Sequence, residues 1–315
     1  MASPGIPATT ARSAPCPSQS PQPSRRTNQF RPAALAPDGS VRQVQALRLG
    51  APETRDLAET VACEAPLELR LNGRSHTILM ASPCQLEELA LGYCLSEGVV
   101  DQAEQVEGVR AGQAELPALG LAHWVDIAVS PELARRAKLR RMAPAATSCS
   151  LCGLESLKDL PGRLVPVADS GLVVGLDSVF RLLEAMESAQ GVFARTGGAH
   201  AAALGTPQGE VIGVAEDIGR HNALDKALGI ALREQGRRFD PGNCLAVLSG
   251  RLSYEMALKV ARIGIPVVAS VSAPTGLCVR LLERLNVTLI AFCRPPRATV
   301  YAHAKRVVCP APPKP

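Results

Sequence analysis

Two cysteines separated by two residues offer the clearest reactive chemistry in this chain. They are Cys149 and Cys152, in the segment Ser148-Cys149-Ser150-Leu151-Cys152-Gly153. A cysteine thiolate is a nucleophile and a metal ligand, and nearby positive charge lowers the thiol pKa. Five basic residues lie just upstream, within residues 135–141. The pattern predicts a reactive thiol pair beside a basic helix, whose charges are either a solvated face or a docking patch for an acidic partner.

Three functions are compatible with the thiol pair. A zinc site needs two further ligands, but no second Cys pair follows at ribbon-like spacing. A thioredoxin-type centre should follow a strand, whereas this pair follows a loop of small residues. A sulfur carrier needs a nucleophilic thiolate on a segment that can meet a donor and then an acceptor. The loop composition and the basic helix favour the carrier, and two incidental loop cysteines are the remaining alternative.

A second segment is dense in ionisable groups. Residues 216–226 place six ionisable side chains and one amide around a glycine. In the simplest interpretation Asp217 and Asn222 cap a helix, while Asp225 and Lys226 are surface charges. The turn 195–200 adds a second arginine and a second histidine, with two glycines between them. Together the two segments indicate an anion-binding cleft, with a purely structural role as the alternative.

Composition limits the class of protein. The chain has 315 residues, 46% of them hydrophobic and 20% charged, which predicts about two soluble domains. The net charge is +5, but residues 1–37 hold four arginines, eight prolines and no acid. We therefore expect a disordered tail over residues 1–40 and a nearly neutral folded part that does not bind nucleic acid. No apolar run is long enough to span a membrane. Ten scattered cysteines without an apolar leader predict a reducing cytoplasm and mostly buried thiols.

Local signals predict several elements of the first half. Leucines alternate with charged residues over 67–71, Asn72-Gly73 follows, and a mostly apolar run comes next over 77–80, which predicts a hairpin. Residues 82–85, Ser-Pro-Cys-Gln, resemble a capping box with proline at the first helical position. Ser130-Pro131 is expected to start the basic helix, and Asp177 is expected to cap a later one that Gly191 ends.

The end of the chain predicts a β-α-β-α-β unit. Short apolar runs predict strands over 245–248, 267–271 and 287–292. The segments between them, 254–263 and 277–285, have the length and pattern of helices. This order favours a parallel sheet whose strand ends share one edge, where ligands of open α/β sheets bind. The loops at that edge are 249–251, 272–275 and 293–297. Their hydroxyls, glycine and three arginines suit a phosphate-bearing ligand.

The ordered motifs resemble one family. They are the Cys-x-x-Cys-Gly loop 149–153, the Thr-Gly-Gly-x-His turn 196–200, segment 216–226, the Ser-Gly-Arg turn 249–251, the Ser-Ala-Pro-Thr turn 272–275, segment 292–297 and Tyr301. The set is similar to that of the formate dehydrogenase accessory sulfurtransferases, over about residues 61–306. Membership would imply an α/β fold, α+β overall, with a small N-terminal α/β domain over 55–142. The family would next have a mobile Cys-x-x-Cys loop, here 143–155, and then a cytidine-deaminase-like, cofactor-binding domain, here 156–308. It would also form a homodimer.

The resemblance also implies a function. A cysteine desulfurase would load sulfur onto Cys149 as a persulfide, with Cys152 supporting transfer. The sulfur would pass to the molybdenum bis(molybdopterin guanine dinucleotide) cofactor before its insertion into the formate dehydrogenase catalytic subunit. The cofactor-binding segment implied is Phe292, Cys293, Arg294, Pro295, Pro296 and Arg297. A non-catalytic cofactor-binding chaperone and a thiol-disulfide oxidoreductase are the alternatives.

Two departures qualify the resemblance. The family often has glycine after the first cysteine, where this chain has Ser150, and the proline-rich tail has no counterpart in the family core. Deaminase chemistry does not follow from a deaminase-like fold, because zinc deaminases need His-x-Glu and Pro-Cys-x-x-Cys. Here His200 is followed by two alanines, and Ser148 precedes Cys149.

Overall fold

A computed structural model describes residues 39–50, 55–117, 120–141 and 165–309. The predicted Cys-x-x-Cys loop, with Cys149 and Cys152, lies outside these ranges, as does nearly all of the predicted tail. The described chain has a mixed α/β fold, which confirms the predicted fold class. The boundaries of the two predicted domains and the deaminase-like character of the second remain predictions.

The N-terminal part contains a four-stranded sheet in the order β4-β3-β6-β5. Its elements are β3 (Ala65–Leu71), β4 (Arg74–Ala81), α1 (Leu86–Ser96), β5 (Val106–Leu116), β6 (Gly120–Val129) and α2 (Pro131–Arg141). Asn72 and Gly73 form the predicted turn, and both have positive φ. Leu67, Leu69 and Ile127 pack with α1 and α2 in one core. A separate antiparallel ribbon, β1 (Val41–Arg48) with β2 (Arg55–Ala62), precedes this sheet and was not predicted as a pair.

The predicted capping box is wrong. Helix α1 begins at Leu86, and the residue before it, Gln85, has φ 52° and makes no side-chain cap. The hydroxyl of Ser82 instead accepts a hydrogen bond from the backbone N of Ile218, 3.2 Å away. Ser82 therefore joins the N-terminal part to the C-terminal part rather than starting a helix.

The C-terminal part is a six-stranded sheet in the order β13-β12-β11-β10-β8-β9. Its strands are β8 (His200–Gly205), β9 (Val211–Asp217), β10 (Leu245–Leu248), β11 (Val267–Ser270), β12 (Thr288–Arg294) and β13 (Arg297–Ala302). Its helices are α3 (Leu176–Ser188), α4 (Gly191–Thr196), α5 (Arg220–Gln235), α6 (Tyr254–Ile263) and α7 (Gly276–Arg284). A short parallel pair, β7 (Val174–Gly175) and β14 (Val307–Val308), lies apart from it.

The predicted β-α-β-α-β unit is confirmed. Strands β10, β11 and β12 are parallel neighbours. Helices α5, α6 and α7 share a core with one face of the sheet, and α3 packs on the other face through Val179, Leu182 and Met186. Asp177 lies in the first turn of α3 and does not cap it, and Gly191 begins α4 instead of ending α3. The result is a three-layer arrangement with helices on both faces of the sheet. The loops after the parallel strands can therefore contribute residues to a site.

Candidate functional site

The turn before His200 lies beside the turn after β10. Strand β8 is antiparallel to β10, so it begins where β10 ends. The backbone N of Ser249 donates to the carbonyl of Ala201 at 3.0 Å, and the N of Ala201 donates to the hydroxyl of Ser249 at 2.9 Å. This pairing brings segment 196–200 to the predicted ligand edge, a contact that the sequence did not predict.

The loops that follow β10 and β11 are joined to each other. Ser270 Oγ donates to the carbonyl of Gly250 at 2.7 Å. The N of Thr275 donates to the carbonyl of Leu252 at 3.0 Å. The predicted common edge of these two loops is therefore confirmed.

The predicted cofactor-binding segment forms the turn between β12 and β13. Pro295 and Pro296 make the turn, and Arg294 pairs with Arg297 across the hairpin with both side chains exposed. Phe292 is exposed and has φ 52°, at a register shift in the strand. Cys293, by contrast, is fully buried, and burial raises the pKa of its thiol to about 11. Five of the six predicted residues thus face solvent, and Cys293 is a core side chain whose backbone alone faces the turn.

The segment is attached to the same edge by its backbone. The N of Phe292 donates to the carbonyl of Ser272 at 3.3 Å, so the hairpin lies next to the loop after β11. Two like charges directly opposite each other on a hairpin are unfavourable unless an anion lies between them. Arg294 and Arg297 form such a pair, which suits a phosphate-bearing ligand.

A cavity of about 500 Å³ opens at this edge. Its walls come from the end of α3, from α4, from the turn before β8, from the residue after β9 and from the ends of β10 and β11. The lining residues are Glu187, Gln190, Phe193, Gly197, Gly198, Ala199, His200, Ile218, Ser249 and Val271. The sequence indicated His200, the two glycines and Ser249, but it gave no signal for Phe193, Glu187 or Gln190.

The two histidines of the predicted anion cleft are neutral bases. Burial and the Arg220 guanidinium lower the pKa of His200. Burial, Lys259 and Arg220 lower the pKa of His221 to about 4. The guanidinium of Arg220 therefore lies near both imidazoles. Its buried Nε has no hydrogen-bond partner among the described residues, which suits an acceptor group on a ligand.

Gly250 allows this cluster to form. A Cβ at that position would lie 3.3 Å from His200 Nδ1 and 3.4 Å from Arg220 Cβ. A side chain there would touch both residues, and His200 would have to shift by a few tenths of an ångström. Glycine in the Ser-Gly-Arg turn thus lets two side chains of the cleft lie close to the loop.

Much of the charged segment 216–226 is structural. Lys226 Nζ lies 2.7 Å from Asp217 Oδ2, and both side chains are completely buried. Asp217 also accepts hydrogen bonds from the backbone N of Ser82 at 3.0 Å and of Gly219 at 2.9 Å. Asn222 Nδ2 donates to Asp217 Oδ1 at 3.0 Å and to the carbonyl of Met80 at 2.9 Å. This network fastens α5 to the N-terminal part.

A second buried pair starts from Asp225, the residue before Lys226 in α5. Asp225 and Lys259 are both buried and 2.7 Å apart, and Ser96 Oγ donates to Asp225 at 2.6 Å. Burial lowers the pKa of Lys259, but Asp225 and Glu97 outweigh that effect, so the pKa is raised and the ammonium stays charged. The interpretation of Asp225 and Lys226 as surface charges is therefore wrong.

The basic helix α2 is present as predicted. Arg136 donates to Asp101 at 2.9 Å, while Arg135 and Lys138 are exposed.

Four cysteines of the described part are buried: Cys94, Cys244, Cys278 and Cys293. Burial raises the thiol pKa of each, so none of the four is a reactive nucleophile. The described residues contain no group of three or more His, Cys, Asp or Glu side chains that could hold a metal ion.

Fold and site define a mixed α/β protein with a cavity at the carboxyl edge of its C-terminal sheet. Residues 62–308 match the model of the FdhD/NarQ family. The chain belongs to the FdhD/NarQ family. In the ranges that the structure covers, no helix is long and apolar enough to cross a membrane.

Curated relatives agree with this assignment. The chain is 41% identical to the sulfur carrier protein FdhD of Bordetella bronchiseptica, over 86% of this chain and 95% of that protein. It is 38% identical to the protein of the same name from Xanthomonas euvesicatoria, over 87% of this chain and 94% of that protein. A solved structure from Desulfotalea psychrophila, assigned as a formate dehydrogenase accessory protein, matches with a TM-score of 0.64. That likeness covers 85% of this chain and 99% of the other, at 24% identity, and it shows the fold.

Proposed function

We propose that this protein is a sulfur carrier for the molybdenum cofactor of formate dehydrogenase. It takes persulfide sulfur from a cysteine desulfurase and passes it to molybdenum bis(molybdopterin guanine dinucleotide), which is then inserted into the catalytic subunit. The observation that carries the proposal is the 41% identity to a sulfur carrier protein, over nearly the whole length of that protein. We propose that it works in the cytoplasm as a homodimer and is required for formate dehydrogenase activity.

The loading step is a thiol exchange at Cys149. Its thiolate attacks the terminal sulfur of the desulfurase persulfide, the sulfur–sulfur bond of the donor breaks, and the desulfurase cysteine leaves as a thiolate. Cys149 then holds the transferred sulfur as a persulfide. The five basic residues at 135–141 precede the thiol pair in the sequence, and positive charge favours both thiolate and persulfide anion.

Cys152 supports the release of the sulfur. Its thiolate attacks the inner sulfur of the Cys149 persulfide, a disulfide forms between the two cysteines, and sulfide leaves toward molybdenum. The two electrons that reduce the sulfur come from the pair of thiols, so a cellular dithiol must reduce the disulfide before the next cycle. The second cysteine of the motif thereby has a chemical role that a lone thiol lacks.

The cofactor is the substrate, and the ligand edge offers groups that fit its phosphates. Arg294 and Arg297 are exposed and opposite each other, and the Arg220 Nε is buried without a partner in the described chain. Guanidinium groups pair with phosphate oxygens in bidentate fashion. The cavity beside them has room for a ring system, with His200 and Ser249 as neutral polar groups in its wall.

Mass spectrometry tests the carrier function against a non-catalytic cofactor-binding chaperone. The full chain is incubated with a cysteine desulfurase and cysteine, and the mass of one additional sulfur atom is sought on the peptide that contains Cys149. The Cys149→Ser variant should gain no sulfur, while Cys152→Ser should load but fail to release it. Cys309, which is exposed, gives a matched control, since Cys309→Ser should load normally. Equal sulfur on wild type and Cys149→Ser would favour the chaperone.

A further inference from the structure

Helix α4 forms a cavity wall although it is too short to be stable alone. It spans only Gly191–Thr196, and isolated helices of this length do not persist in water. It presents Phe193 to the cavity, and that side chain is 47% exposed. Single exposed apolar side chains are common, so the exposure of Phe193 by itself decides nothing. What matters is whether the fold holds the ring in place.

The carboxylate of Glu216 fixes the start of α4. Its Oε2 accepts a hydrogen bond from the backbone N of Val192 at 2.7 Å, and its Oε1 accepts one from the N of Phe193 at 2.8 Å. The residue that precedes the helix, Gln190, makes no side-chain cap. Glu216 belongs to β9 and lies opposite Ala201 of β8, so the anchor is part of the sheet. The backbone of Phe193 itself is therefore bound to the sheet.

The end of α4 is fixed as well. Thr196 Oγ1 donates to the carbonyl of Val192 at 2.8 Å and accepts from the N of Gly198 at 3.0 Å. Gly197 ends the helix with φ 65°, a conformation that favours glycine. The chain then enters β8 at His200. Hydrogen bonds thus hold the backbone at both ends of α4, on either side of Phe193.

We propose that Phe193 packs against a flat heteroaromatic ring of the ligand, and that Glu216 is the residue that positions it. The inference rests on the proposed function, whose cofactor contains two kinds of flat ring, guanine and pterin. An aromatic side chain attracts any such ring through its face, and the neutral groups of His200 and Ser249 supply polar contacts in the same wall. Phe193 stacks on the ring that enters the cavity, while the phosphates extend toward the arginines of the edge.

Binding of two separate probes distinguishes the rings. The full chain is titrated by calorimetry with guanosine diphosphate and, separately, with neopterin. Phe193→Leu should weaken one of the two probes about tenfold, and Phe193→Tyr should restore it. The probe that is affected identifies the ring. Val211→Ala removes an exposed apolar side chain at the far end of β9 and serves as the matched control, with no change expected.

The role of Glu216 is tested by a double-mutant cycle. Glu216→Gln keeps the shape of the side chain but loses the charge that holds two N–H groups, so it should weaken the same probe. In the Phe193→Leu background it should add no further loss, because it acts through that ring. A loss of equal size in both backgrounds would show a merely structural role and overturn the positioning assignment.

Other outcomes separate this inference from the proposed function. If Phe292→Leu weakens a probe while Phe193→Leu does not, the ring lies on the hairpin and the inference is wrong. If the wild type binds neither probe, the inference is also wrong, while persulfide on Cys149 still supports the carrier. If the probes bind as expected but Cys149 takes no sulfur, the ring site stands and the carrier function fails.

Discussion

The ammonium of Lys226 lies 2.7 Å from a carboxylate oxygen of Asp217, and neither side chain is exposed to solvent. Lys226 Nζ also donates to the carbonyl of Ser82 at 3.1 Å. Asp217 is the last residue of β9 and lies opposite His200 of β8, which lines the cavity. The ion pair of Asp217 and Lys226 thus connects the cavity wall, the first turns of α5 and the link between β4 and α1.

Breaking this pair should cost much of the stability of the protein. Lys226→Met leaves the Asp217 carboxylate buried without its cation, and such changes cost about 3–5 kcal/mol. Equilibrium urea unfolding of the variant measures the loss. The double variant Asp217→Asn/Lys226→Met removes both charges and should recover part of it. A loss below about 1 kcal/mol for the single variant would mean that water or a neighbour compensates the carboxylate.

The crossing of α1 and α5 should tolerate no side chain at two glycines. A Cβ at Gly92 would lie 1.8 Å from the carbonyl oxygen of Asp225, and one at Gly229 would lie 1.9 Å from that of Glu88. Gly92→Ala forces the helices apart and should cost about 2 kcal/mol or more, as overpacked sites do. Gly276→Ala is the control, because a Cβ there meets nothing within 4 Å and its φ is not positive. Thermal unfolding of both variants should differ clearly, and equal melting temperatures would contradict the close contact.

The parallel unit was predictable because its signals are local. Strand 245–248 is a continuous apolar run, strand 267–270 is apolar except for Ser270, and the helix between them has one apolar face. A parallel arrangement then places the loops at one edge, as observed. Strand β8 was not predicted, since its alanine-rich sequence has little β propensity. Pairing with β10 and β9, which is not local, makes it a strand.

Side-chain partners were harder to predict than elements. Asp225 and Lys226 are residue types normally found on surfaces, and only the fold brings Lys259 to Asp225. Ser82 has the sequence context of a helix cap, but Ile218 competes for its hydroxyl. Phe193 belongs to no motif, so nothing in the sequence marks it as a cavity residue. Segment 292–297 was located correctly at the edge, while its role in binding stays a prediction.

His221 should make the stability of the protein depend on pH. Its pKa is lowered to about 4 in the folded state, against about 6.5 when unfolded. Between these values the unfolded chain binds a proton that the folded chain does not. Stability is therefore complete above pH 6.5 and falls as the pH is lowered toward 4, by about 2–3 kcal/mol from this residue. His221→Gln should flatten that part of the curve of unfolding free energy against pH. An unchanged slope in the variant would assign the acid sensitivity to other groups.

Removing the two exposed arginines of the hairpin should weaken binding of a guanine nucleotide. Arg294 and Arg297 face each other across the turn of β12 and β13, which lies against the loop after β11. Each lost arginine–phosphate contact should cost about 1.5–3 kcal/mol, so the double variant to alanine should bind at least tenfold more weakly. Titration calorimetry with guanosine diphosphate on the folded variant measures this. The control is Arg280→Ala/Arg284→Ala, which removes the same charge from exposed positions of α7. If both double variants lose affinity equally, the effect is one of net charge, and the hairpin arginines do not contact the phosphates.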